Sequence, residues 1–210
     1  MSIFNFKKGA DEPYELGELI GEGTRVDFYK IKNEKLLGVK IFHNRYRYLE
    51  PLEKQVKEFE KEIEIGNLLL RNNIPTPRNV GVIDILIKPE SNKIIKGLAI
   101  EIIEDETLIE IDFNYNDINL ELNHFSESEF SLRVLLNGSY VKDSKIDLEM
   151  VIKYKTAICK TLNMLIDKFK KNSKEEFFNV IEYWDLQGLY SIKKDIFYLI
   201  DFENWKNFLE

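Results

Sequence analysis

The feature that most constrains this chain is a change of hydrophobic period at Pro51. Before it, three short apolar segments alternate with polar residues in steps of two, the period of a half-buried strand. Residues 16–21 run into the turn Gly21-Glu22-Gly23, residues 26–32 leave it, and residues 36–42 follow the turn Asn33-Glu34-Lys35. This predicts a meander of antiparallel strands. After Pro51, the apolar residues Leu52, Val56, Phe59, Ile63 and Leu70 recur at steps of three, four or seven, the stripe of a helix whose other face is Glu and Lys. Asn72-Asn73 and Pro75-Thr76-Pro77 stop that helix. Residues 80–88 and 95–103 read as two more strands, so the first half is five strands with one helix between the third and fourth.

The second half is less regular. Residues 104–146 are acidic and Asn-rich, and short helices and loops are expected there. Residues 147–170 carry the stripe Leu148, Val151, Ile152, Ile158, Leu162, Leu165, Ile166 and Phe169, which predicts a long helix. Lys170-Lys171 near its end suits the helix dipole. Short strands are expected at 188–192 and 196–201 about the turn Lys193-Lys194-Asp195. The expected core positions are Leu37, Val39, Ile41, Phe59, Ile63, Ile100, Ile158, Leu162, Leu165 and Leu199.

Composition narrows the function. The 210 residues are 44% hydrophobic and 12% aromatic, enough for a sizeable core. A net charge of -7 argues against general attraction to nucleic acid or an anionic membrane surface. The one cysteine, Cys159, allows no internal disulfide and suits a reducing cytoplasm. No apolar run is long enough to predict a membrane span, and the N-terminus lacks a signal-peptide pattern. His43 and His124 lack metal-ligand spacing, so zinc is not expected. Cys159, beside Ile158, reads as a packing residue.

Five places can carry chemistry. Gly21 and Gly23 lack side chains, so backbone N–H groups there can approach phosphate oxygens; a tight hairpin turn is the plainer reading. Lys40 ends an apolar strand and by alternation shares a side with Gly38 and Phe42. Flanked by apolar residues it needs a partner, unless it faces water from an edge strand. Glu62, directly before Ile63 on the helix, is the chosen partner, with Glu58 and Glu60 as competitors. Asp201 ends the apolar segment 196–200, as either a Mg²⁺ ligand or a turn residue. Asp185, in Tyr183-Trp184-Asp185-Leu186-Gln187, can take a proton from a hydroxyl or be an ordinary loop carboxylate.

The order of these fragments resembles the protein-kinase-like superfold, and within it small atypical kinases and aminoglycoside-phosphotransferase-like proteins. Residues 68–80, LLLRNNIPTPRNV, are similar to the segment after that family's first helix; residues 98–108, LAIEIIEDETL, to its hinge; and LIDFE, residues 199–203, to its metal-binding motif. The resemblance spans roughly residues 14 to 205. It implies an α+β, two-lobed protein-kinase-like fold: an N-lobe over 1–104 with a five-stranded antiparallel sheet plus one helix, and a truncated, mainly helical C-terminal lobe over 105–210. That lobe would hold the helix 147–170 and a catalytic-loop-like hairpin at 183–201, with ATP lying between the lobes.

The same resemblance implies an ATP-dependent phosphotransferase passing the γ-phosphate to a hydroxyl acceptor with Mg²⁺. Gly21 and Gly23 would border the phosphates, Lys40 would hold them, Glu62 would pair with Lys40, and the stretch from Ile102 to Glu104 would contact adenine through its backbone. Asp185 would be the catalytic-loop aspartate and Asp201 the Mg²⁺ ligand. The chain departs from the family pattern in four ways. Arg25-Val26 stands where a third glycine is usual, Tyr183-Trp184 precedes Asp185, Tyr190 occupies the place of a metal-binding Asn, and the chain ends at Glu210 without the helices that follow the metal motif. These departures imply an alternative: a pseudokinase that binds nucleotide or a protein partner without efficient catalysis.

Overall fold

The computed structural model describes residues 12–23, 25–43, 51–87, 93–115, 123–136, 138–169, 174, 187–202 and 205. They fall into two units, one formed by residues 1–63 with 79–103 and the other by 64–78 with 104–210.

The first unit holds strands β1 (Tyr14–Glu22), β2 (Val26–Ile31), β3 (Leu37–Phe42), β4 (Asn79–Ile87) and β5 (Lys93–Glu101). Helix α1 (Leu52–Arg71) lies between β3 and β4 in the chain, and the boundary between the units falls within it, after Ile63. The strands close into a barrel in the order β1-β2-β3-β5-β4. All pairs are antiparallel except β1 with β4, which run parallel through Tyr14↔Ile85 and Glu15↔Leu86.

Alternation along β3 serves two cores. Leu37, Val39 and Ile41 join Ile31, Ile85 and Ile95 in one apolar cluster. Phe42, on the other side, joins Val26, Phe59 and Leu98 in a second, with Ile63 and Ile100 packed against it. The residue that brings α1 into this second cluster is Phe59, whose ring lies 4.9 Å from that of Phe42. The buried face of α1 is not the predicted stripe. Leu52 is 53% exposed and Leu70 is 36% exposed, while Gln55, Phe59, Glu62, Ile65 and Leu69 are buried. Two polar residues, Gln55 and Glu62, therefore lie on the buried face.

The second unit corrects the sequence reading. Residues 104–146 do not form short helices and loops. They contain β6 (Leu108–Tyr115), β7 (Phe130–Leu136) and β8 (Ser139–Lys142), joined in one antiparallel sheet with β9 (Gln187–Ser191) and β10 (Ile196–Ile200) in the order β10-β9-β6-β7-β8. The physical reason lies in the local pattern. In LIEIDFNY, Ile111 and Phe113 point inward between polar neighbours, and in FSLRVLL, Phe130, Leu132 and Val134 do the same. Gly138, at φ +76°, takes the left-handed turn conformation between β7 and β8.

This sheet packs against one long helix, α2 (Leu148–Lys168), whose N-terminus is capped by Asp147, which accepts from the Glu149 and Met150 amides. Val151, Tyr154, Ile158, Leu162, Leu165 and Ile166 of α2 are buried, but Leu148 and Ile152 are exposed. A five-stranded sheet in the second half overturns the two-lobed protein-kinase-like fold with a mainly helical C-terminal lobe. The apolar surface assigned to helices there is strand surface.

Candidate functional site

Lys40 and Glu62 come together in the first unit. Lys40 Nζ donates to both Glu62 Oε1 and Oε2 at 3.1 Å, and the two residues are 7% and 4% exposed. The position of Lys40 follows from alternation on β3, which sets it on the same face as Phe42, toward α1. The position of Glu62 follows from the helical period, three residues after Phe59 on the buried face. Asn79 ties the helix down at this point, its Nδ2 donating to the Glu62 carbonyl at 2.8 Å. The competing glutamates are accounted for: Glu58 accepts from Arg25 Nη2 at 3.1 Å, and Glu60 is exposed. Arg25 also lies over the Phe42 ring, 5.5 Å from its centroid.

Around the pair, the sheet face is apolar. Lys40 is flanked across the strands by Phe28 on β2 and Leu98 on β5, and Gly21 of β1 faces Phe28 in turn. Gly23 closes the β1–β2 turn, its amide donating to the Val26 carbonyl at 2.9 Å. A side chain at Gly23 would meet that carbonyl oxygen at 2.6 Å, so the turn requires glycine. Ile102 donates its amide to the Leu36 carbonyl at 2.8 Å and remains half-buried.

The other expected site residues lie elsewhere. Glu104 and Asp201 belong to the second unit. Glu104 is exposed, and Asp201 is half-buried just after β10 with φ +61°. Asp185 falls outside the described residues. Tyr190 is fully buried; its ring packs on Tyr154 at 4.9 Å and its hydroxyl donates to Asp195. Burial pushes the Tyr190 phenol above its usual range, and the hydrogen bond to Asp195 adds to this. A buried neutral phenol engaged in this way is no metal ligand.

Each unit has a cavity lined by other residues. One, of about 400 Å³ in the first unit, is lined by Glu22, Gly23, Asp27, Tyr29, Ile41, Phe42 and His43. Neither Lys40 nor Glu62 lines it. His43 Nε2 lies 2.7 Å from Asp27 Oδ1 beside it. The other, of about 360 Å³ in the second unit, is lined by Glu104, Asp105, Glu106, Lys193 and Lys194. Hydrogen bonds from Ser191 and Thr107 hold the Asp105 carboxyl down at about 2.

Among the described residues, no group of three or more His, Cys, Asp or Glu is placed to hold a metal ion. No helix among them is long and apolar enough to cross a membrane. Sequence reasoning missed Phe28, Gln55 and Asn79. Only Phe28 had a visible signal, an aromatic residue in alternation with Val26 beside the glycine turn. No known family model matches the chain, and no curated protein matches it in sequence.

Proposed function

We propose that the first unit binds a nucleoside triphosphate, ATP with Mg²⁺, through contact of Lys40 with its phosphates, Glu62 fixing the direction of the ammonium. The observation that supports this most is the buried Lys40–Glu62 pair. Burying two charges together costs several kcal/mol per ion in desolvation and contributes little net stability over an apolar pair. Such a pair is better suited to holding a charge in a fixed direction than to stabilising a sheet. Glycine at Gly21 and Gly38 keeps the neighbouring sheet surface free of two side chains. The reading stands on this pair and not on the overall architecture, which differs from the one the resemblance implied.

The chain then acts as a nucleotide-binding module in the cytoplasm, passing its state to a protein partner.

Titration calorimetry with ATP, with and without Mg²⁺, tests the reading. The native chain is expected to bind, and Lys40→Met, checked for folding by circular dichroism, to bind at least about 10-fold more weakly. Absence of heat at millimolar ATP in the native chain overturns it.

A further inference from the structure

Phe28 is the unexplained residue of this face. It pairs directly with Lys40 across β2 and β3, so its side chain rises on the same face as the ammonium. That face also carries Val26, Phe42 and Leu98, which pack into a core cluster, yet Phe28 belongs to neither apolar cluster of the unit and is only half-buried. Its ring lies instead on Gly38. A methyl group placed at Gly38 would meet Phe28 Cζ in hard overlap, Cε2 at 2.6 Å and Cε1 at 3.1 Å. On the other flank Phe28 faces Gly21, where a methyl group would touch only its Cβ, at 3.5 Å. Two glycines thus clear a slot in the sheet, and an aromatic ring lies in it, beside the cation.

A ring laid over a glycine on the neighbouring strand can itself stabilise a sheet, but this ring is only half-buried. Glycine inside a strand forgoes side-chain packing, and a large ring outside the core leaves part of its apolar surface in water. What the slot provides is a flat apolar surface next to Lys40, of the kind an aromatic base covers when its phosphates reach the ammonium. We propose that the Phe28 ring is a cover over this surface: it rests on Gly38 in the ligand-free protein and swings away when nucleotide binds. The proposal rests on the nucleotide reading above. Its consequence is quantitative. If the uncovered state is a minor fraction of the molecules, apparent affinity falls by that fraction, and removing the ring restores it.

The test is calorimetric titration of the full chain with ATP and Mg²⁺, comparing the native protein, Phe28→Ala, Lys40→Met and the double variant. Phe28→Ala is expected to bind at least about 10-fold more tightly than the native chain, and Lys40→Met to abolish the gain. Equal or weaker binding by Phe28→Ala, with Lys40→Met still impaired, overturns the cover and leaves the nucleotide reading standing. Absence of binding in all four overturns that reading and the cover with it. A second measurement avoids dependence on the folding of the alanine variant. With 4-fluorophenylalanine placed only at position 28, the fluorine resonance is expected to move on addition of ATP and Mg²⁺. A resonance unmoved at saturating ATP overturns the proposal.

Discussion

At Lys40 the ammonium has given up water for the two oxygens of Glu62, each 3.1 Å away. Removing either partner leaves the other charge buried and uncompensated, which costs about 3–5 kcal/mol, whereas replacing both with apolar residues of similar size costs little. Glu62→Ala and Lys40→Met are therefore each expected to lower the urea-unfolding free energy by about 3 kcal/mol or more. The double variant Lys40→Met/Glu62→Leu is expected to lose less than either single one. If the losses simply add, the two residues are not energetically coupled. Sequence reasoning chose Glu62 as the partner for its place directly before Ile63, and the structure pairs it with Lys40. Glu58, Glu60 and Glu62 are all within reach of a strand lysine, and the helical phase set by Phe59 and Leu69 decides which one turns inward.

At the scale of elements, the two sheets make an informative comparison, because each lays a phenylalanine over a glycine on the adjacent strand. Phe197 of β10 lies over Gly188 of β9 as Phe28 lies over Gly38. The surroundings differ. Phe197 is 1% exposed and packs edge-on to Phe113, with ring centroids 5.9 Å apart. A methyl group at Gly188 would meet its Cε1 at 2.7 Å with no room to yield. Phe28 is half-buried. Gly188→Ala is thus expected to destabilise by about 1–3 kcal/mol through overpacking, and Gly38→Ala by clearly less; thermal melts of both variants check the order. Equal losses would show that the Phe28 ring is held as firmly as Phe197. The second unit also contains an ion pair, outside its strands, that no sequence pattern announced. Lys174 Nζ, fully buried, donates to Glu129 Oε1 at 2.6 Å and Oε2 at 2.7 Å and lies 5.1 Å from the Phe125 ring centroid. Its partners lie 45 residues apart in the chain, beyond any local period.

At the scale of the whole molecule, Cys159 provides a reporter for one unit. It lies on α2 within the apolar cluster of the second unit. Burial, with Glu127 and Glu129 adding to it, pushes its thiol up to about 12. A thiol that holds its proton more tightly when folded contributes stability that is whole below its unfolded value near 9.0 and is lost as pH rises toward about 12. Unfolding free energy is thus expected to fall across that window, and Cys159→Ala to remove this part of the slope. At pH 8 the native chain is expected to react with a thiol reagent at least about 100-fold more slowly than the urea-unfolded chain. A fast native reaction would place the thiol at the surface.

Much was legible from local period alone. The five strands of the first unit, the helix between the third and fourth, the inward set Leu37, Val39 and Ile41, and the hairpin of β9 and β10 all follow from alternation and turn residues over fewer than ten positions at a time. The reading failed where apolar residues were sparse among acids and asparagines. There β6 pairs with β9, some eighty residues later in the chain, and β7 and β8 extend the sheet from β6. The position of Glu62 directly before Ile63 was enough to choose it as the partner of Lys40. The closure of the barrel through β1 and β4, the burial of Tyr190 and the resting place of the Phe28 ring were decided only by the tertiary structure, because each depends on contacts between segments distant in sequence.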